Sequence, residues 1–165
     1  MKKLLLILLL STTIMSCAQE KTTFDEIALT EKFEQLNGDE ISFKSILDKH
    51  KGKTIFIDIW ASWCHDCVGS LPDFKKLQAK EKEVVYVMLS LDKTAEAWKK
   101  GLKKHELSGE QYLFTKKWKE SDFCSSIKLD WIPRYLIVGK DGTVKMYKAI
   151  KVKSKKIKKV IKADK

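Results

Sequence analysis

Apolar and polar positions change their period several times along the chain, and the changes mark its elements. Leu4 to Leu10 is an unbroken apolar run behind Lys2 and Lys3. It is too short to cross a bilayer as a helix, and residues 1–16 read as an export signal peptide. Ala18 to Thr23 is polar and reads as a tether, so residues 17–23 precede a domain over 24–165. Phe24 to Gln35 shows only weak alternation. Asn37-Gly38 is a turn signal, and Ser42 is placed to cap a short helix carrying Phe43, Ile46 and Leu47, which His50 to Lys53 closes. Thr54 to Trp60 is apolar and β-branched at nearly every position, the pattern of a central strand covered on both faces. Val68, Leu71, Phe74 and Leu77 then follow helical spacing, with Pro72 expected to kink that helix and Lys80 to Glu83 to end it. Val84 to Leu91 repeats the buried-strand pattern, Ala95 to Leu107 the helical one, and Tyr112 to Phe114 is a short strand. A short helix over Phe123 to Ile127 leads to Trp131-Ile132-Pro133. Arg134–Val138 and Thr143–Tyr147 flank Gly139 to Gly142 as a β-hairpin. A last helix carries Ile157, Val160 and Ile161 at i, i+3, i+4.

Strand, helix, strand, helix, hairpin, helix is the order of an α/β fold in which helices flank a central mixed sheet. The 165 residues, less a leader, suffice for one core, and neither repeats nor a low-complexity linker divide them. The formal charge is +11, or +9 without Lys2 and Lys3, and lysines crowd the segment after Val144. Such a balance first suggests nucleic acid. Aromatic residues are not interleaved with those lysines, however, and the expectation is no nucleic acid, with the lysines forming the solvated face of the last helix.

The four cysteines sort by position. Ile14-Met15-Ser16-Cys17 resembles the lipobox of bacterial lipoproteins. By that likeness Cys17 is lipidated, and the protein is a membrane-anchored lipoprotein of the cell envelope facing the periplasm. Several acyl chains, at about 0.8 kcal/mol per buried methylene, hold far more firmly than one. Cys64, Cys67 and Cys124 remain. A close pair and one leftover in an oxidising space point to a working dithiol, not to a disulfide framework.

Cys64-His65-Asp66-Cys67 opens a helix directly after the first buried strand. Unpaired backbone N–H groups and the helix dipole favour a thiolate at Cys64. The thiolate attacks disulfides, and a second sulfur one turn along releases the mixed disulfide, so Cys64 is expected as nucleophile and Cys67 as resolving thiol. No second C-x-x-C completes a four-ligand zinc site, and no metal is expected. Asp58, inside the apolar strand, should have a raised pKa. No cofactor is expected beyond a redox-active Cys64–Cys67 disulfide.

The segment Asp58 to Cys67, with Ile132-Pro133, resembles the thioredoxin superfamily. Leu71-Pro72 and the Asp141-Gly142 hairpin are most similar to its membrane-tethered TlpA/ResA-type branch. The resemblance implies a thioredoxin-like fold and thiol–disulfide oxidoreductase activity on dithiols and disulfides of exported proteins; its direction stays open, since reductive work, the favoured expectation, needs electrons from a membrane-embedded thiol donor and oxidative work needs the opposite partner. It also implies that Asp58 deprotonates Cys67, that Pro133 is cis, that Ile132 offers its backbone to an extended substrate, and that Trp63 borders the docking surface.

Three departures stand out. Ser70 occupies the place where that branch usually has glutamate, Asp66 replaces a frequent proline, and His65 precedes it. A protonated His65 would favour a Cys64 thiolate and a charged Asp66 would oppose it, so both are candidate pKa-tuning residues of opposite sign. Cys124 reads as a small buried hydrophobe, and His50 and His105 as structural or exposed. A rival reading is a Cu(I)-binding metallochaperone using the same two thiolates, although no Met-rich or His-rich stretch accompanies them.

Overall fold

The computed structural model describes residues 22–165; the leader, Cys17 and most of the tether lie outside the described residues. The chain forms α1 (Glu26–Thr30), β1 (Lys32–Glu34), β2 (Glu40–Ser42), α2 (Phe43–Lys49), β3 (Ile55–Trp60), α3 (His65–Lys80), β4 (Val85–Ser90), α4 (Ala95–His105), β5 (Glu110–Phe114), α5 (Asp122–Ser126), β6 (Arg134–Val138), β7 (Val144–Ala149) and α6 (Lys155–Ala163). The strands make one mixed sheet in the order β2-β1-β5-β4-β3-β6-β7, with β3, β4 and β5 parallel and the other pairings antiparallel.

The unbroken apolar runs become the middle of this sheet. Every residue of β3 and β6 is buried, because helices cover both faces there. Phe56 on β3 meets Phe74 of α3, Tyr86 of β4 and Tyr135 of β6 at centroid distances of 5.9, 5.7 and 5.4 Å. Strand alternation therefore puts Phe56, Asp58 and Trp60 on the α3 face and Ile55, Ile57 and Ile59 on the other. That other face is filled by Phe24, Phe33, Phe43, Phe114 and Phe123, whose rings lie 4.6–6.1 Å apart in adjoining pairs and pack α2 and α5 against β1 and β5. α3 has α4 on one flank, where the Gln78 side chain donates to the Ser108 carbonyl. On its other flank the Lys153–Asp73 and Lys165–Glu81 ion pairs join it to the α6 region.

Local signals fix the helix starts. Side chains of Ser42, Thr94, Ser121 and Ser154 each accept a backbone N–H of the first turn of α2, α4, α5 and α6. α3 runs unbroken through Pro72, which lies exposed eight positions into it. The structure adds what weak alternation hid: α1, and a short β1–β2 hairpin closed by the Asn37-Gly38 turn, with Gly38 at φ +92°. β1 reaches the sheet only by pairing with β5, a contact far away in sequence. Thr22, placed by sequence in the tether, already accepts the Val144 N–H at 2.7 Å.

Candidate active site

The parallel strand β3 delivers the chain to the end of the sheet where α3 begins. Between them, Ala61 accepts the Cys64 N–H at 3.1 Å, and Ser62 is held from outside the motif. Asp92, buried after β4, takes the Ser62 N–H and hydroxyl, the latter at 2.7 Å, and also the Ser90 hydroxyl at 2.7 Å. Gly101 of α4 backs this loop so closely that a Cβ there would lie 2.5 Å from that of Ser62.

Cys64 is the N-cap residue of α3. Its sulfur accepts the Cys67 N–H at 3.2 Å and lies 3.7 Å from the Ile132 carbonyl, to which its thiol donates. Cys64 is 8% exposed and Cys67 1%, and both are free thiols. A backbone N–H is aimed at the Cys64 sulfur, which stands at the N-terminal end of a 16-residue helix. The Cys67 thiol is pushed far up, first by burial, then by its hydrogen bond with Cys64, with a smaller contribution from Asp58. Cys64, the more accessible of two buried thiols, is thus the one placed to attack, and Cys67 is held protonated.

Asp58 lies on the α3 face of β3, 1% exposed, and its Oδ1 has no hydrogen-bond partner among the described residues. Burial alone holds its carboxyl well above the usual carboxylate range. Tyr135 stands opposite it in register on β6. The Tyr135 hydroxyl donates to Ser70 Oγ at 2.9 Å, and Ser70 donates to the Cys67 carbonyl at 2.7 Å. Where the related branch carries glutamate, Ser70 therefore ties the first turn of α3 to the central sheet. The Tyr135 phenol is itself raised, chiefly by burial and next by Asp58.

The Ile132–Pro133 peptide is cis, and both residues are buried beside the thiols. Immediately after them Arg134, fully buried, pairs with Asp130, which also binds Lys148. Burial lowers the Arg134 pKa and leaves Nε and Nη1 without partners among the described residues. Trp63 and Trp131 are 59% and 56% exposed, one on each side of the thiols in sequence. Trp63 borders a cleft of about 590 Å³ with Leu91, Phe114 and Trp118. Trp131, Pro133 and Ile150 border a shallower one of about 430 Å³ with His65 and Asp66, which stand exposed on the first turn of α3.

Cys124 lies apart from this site. It is 2% exposed on α5, and burial pushes its thiol up to about 12. His50, for which sequence offered no partner, meets Glu110 at 3.0 Å. Among the described residues no group of three or more His, Cys, Asp or Glu side chains converges as metal ligands do. Sequence reasoning missed Asp92, Gly101, Tyr135 and Trp131. Only the exposed Trp131, adjoining the Ile132-Pro133 motif, left a signal that local reading could have used.

Known proteins resemble this chain in sequence and fold. Residues 52–144 match the model of a family described as thioredoxin-like. Thiol-disulfide oxidoreductase ResA of Bacillus cereus is 28% identical over 111 residues, covering 66% of this chain and 60% of the relative, so the chain matches less than two thirds of that protein's length. A solution structure from Bacteroides vulgatus, assigned as a thiol-disulfide oxidoreductase, is 29% identical with a TM-score of 0.66, covering 81% of this chain and 84% of its own. A thioredoxin domain of a second Bacteroides vulgatus thiol-disulfide oxidoreductase shares the fold, with 23% identity, a TM-score of 0.67, and coverage of 87% and 99%. Cys64 capping its helix, Asp58 buried beneath, the cis bond before Pro133 and these matches together lead to one assignment: the chain belongs to the thioredoxin-like family, as a TlpA/ResA-like member.

Proposed function

We propose that this protein is a thiol–disulfide oxidoreductase of the cell envelope, anchored through Cys17 and reducing disulfides of exported proteins. One observation carries the chemistry: Cys64 caps α3 with its sulfur on the Cys67 N–H, while Cys67 lies buried and within electrostatic reach of the buried Asp58. The Cys64 thiolate attacks one sulfur of a client disulfide. A Cys64–client bond forms and the other client sulfur leaves as thiolate. Cys67 then gives its proton to the Asp58 carboxylate and attacks the Cys64 sulfur. The Cys64–Cys67 bond forms, the client leaves as a dithiol, and the protein has lost two electrons. Asp58 suits that transfer because burial raises its carboxyl well above the usual carboxylate range, which makes it a stronger base than an exposed carboxylate.

The reductive direction is the one favoured by the likeness to TlpA/ResA-type proteins, and it is proposed on that ground. Trp63 and Trp131 would flank the client segment, and Ile132 would offer it backbone atoms. Return to the dithiol needs a thiol donor, for which a membrane-embedded partner is the proposed source. Cys67→Ser leaves the attack intact and removes the release, so this variant should accumulate mixed disulfides through Cys64 with envelope proteins. Failure to trap any, with Cys64 still reactive, would contradict the proposal; stoichiometric Cu(I) retention without disulfide turnover would favour the metallochaperone instead.

A further inference from the structure

The lysines of α6 are costly where they stand. Ile157 and Ile161 are buried against the domain, so the apolar stripe of the helix is already used. The outward arc holds Lys155, Lys158, Lys159 and Lys162, all exposed. No acid lies in the first turn, where the helix dipole disfavours Lys155 and Lys156. Lys155 with Lys159, and Lys158 with Lys162, are like-charge i,i+4 pairs, which weaken a helix. Residues 144–165 hold ten lysines against Asp164 alone, a net of +9 in a chain of +11. Four of those lysines pair with acids outside the segment, Lys145 with Asp141, Lys148 with Asp130, Lys153 with Asp73 and Lys165 with Glu81, while Asp164 is engaged by Thr54 and the Lys140 N–H, which leaves the outward lysines of α6 to be balanced from outside. A face so arranged gains most from an external negative surface.

The chain's own route indicates which surface. Thr22, the first described residue, bonds to Val144 at the start of β7, and β7 packs against α6. The segment leading from Cys17 therefore enters the domain at the edge that carries the lysines. We infer that the α6 face docks on an anionic phospholipid bilayer, holding the domain against the membrane in a fixed orientation. The inference rests on the anchored reading above. α4 lies on the flank of α3 opposite the one that the Lys153–Asp73 and Lys165–Glu81 pairs join to the α6 region, and the thiols sit at the start of α3.

Co-sedimentation of the full chain bearing Cys17→Ser, with vesicles of phosphatidylcholine alone or mixed with phosphatidylglycerol, tests this without acyl chains. The apolar leader is common to all samples, so the difference between the two vesicles reads the lysines. At roughly a fivefold gain per lysine at an anionic surface, replacing Lys155, Lys158, Lys159 and Lys162 together by Gln should remove at least about tenfold of the preference for anionic vesicles. Disulfide turnover should not change, and thermal stability should be unchanged or raised. An equal change of charge on α4, with Lys99, Lys100, Lys103 and Lys104 replaced by Gln, should alter the preference by less than about threefold. Equal losses from both sets would show a bulk charge effect, and no preference for anionic vesicles would remove the inference altogether. Anchoring is judged separately by the mass of the N-terminal peptide of the membrane-bound protein. An unmodified Cys17 would end that reading and with it the orientation, whatever the vesicles show.

Discussion

Asp92 grips Ser62 by both its backbone N–H and its hydroxyl, and so fixes the loop that delivers Cys64 to α3. Thirty residues separate the two, yet the carboxyl also holds Ser90 at the end of the neighbouring strand. The position of the nucleophile is thus set by β4 as much as by its own motif.

Asp92→Ala should therefore damage both stability and chemistry. It strands the N–H of Ser62 and two hydroxyls in a largely buried place, at about 1–3 kcal/mol for each group left unpaired. Thermal melting should fall by several degrees, and kcat/KM for disulfide reduction should fall more than that of a surface control such as Lys99→Gln. An unchanged kcat/KM in the folded variant would show that the loop holds Cys64 without Asp92.

Gly101→Ala sets two effects against each other. Alanine improves helix propensity by up to about 1 kcal/mol, but its Cβ would stand 2.5 Å from that of Ser62. Both partners are rigid, and overpacking costs about 1–3 kcal/mol. Net destabilisation is expected, read by urea denaturation, together with slower turnover as the Ser62 loop is pushed outward. A stabilised variant would mean that α4 can shift freely.

Asp58→Asn separates stability from activity. Burial raises the Asp58 pKa above its ordinary 3.8, so the folded protein holds that proton more tightly than the unfolded chain. The resulting stabilisation is full below about 3.8 and is lost as pH rises through the folded value. Asn, neutral throughout, escapes the loss. Its melting temperature should exceed that of the parent at neutral pH, with the gap closing as pH falls towards about 4. Release of mixed disulfides should slow by about a hundredfold if Asp58 is the base, while the first attack by Cys64 persists. A variant with unaltered release kinetics would remove Asp58 from the mechanism.

Cys124 should be silent. Its thiol is buried and pushed up to about 12, so iodoacetamide at neutral pH should label Cys64 first and leave Cys67 and Cys124 nearly untouched in the native protein. Cys124→Ala should preserve turnover. Rapid labelling of Cys124 would mean that α5 opens readily.

Much of this was legible because the sheet centre and the redox motif are local in sequence. Thr54 to Trp60 needed only its apolar run, Ser42 only its position before Phe43, and Asp58 only its apolar neighbours. The missed parts depend on partners distant in sequence. β1 is a strand because β5 lies beside it, His50 is tied because Glu110 faces it, and Asp92 matters because β4 ends next to the Ser62 loop. Ser70, read as a missing glutamate, is a link from Tyr135 to the Cys67 carbonyl, which required knowing that β6 lies beside β3.

The pairing of Cys64 with Cys67 is tested most directly by equilibrating the purified protein in graded glutathione buffers, quenching with an alkylating agent and mapping the peptides by mass. The account predicts a single two-electron transition in which both thiols vanish together into one Cys64–Cys67 disulfide, while Cys124 stays alkylated as in the reduced protein. Independent glutathione adducts on Cys64 and Cys67, or a disulfide involving Cys124, would contradict it.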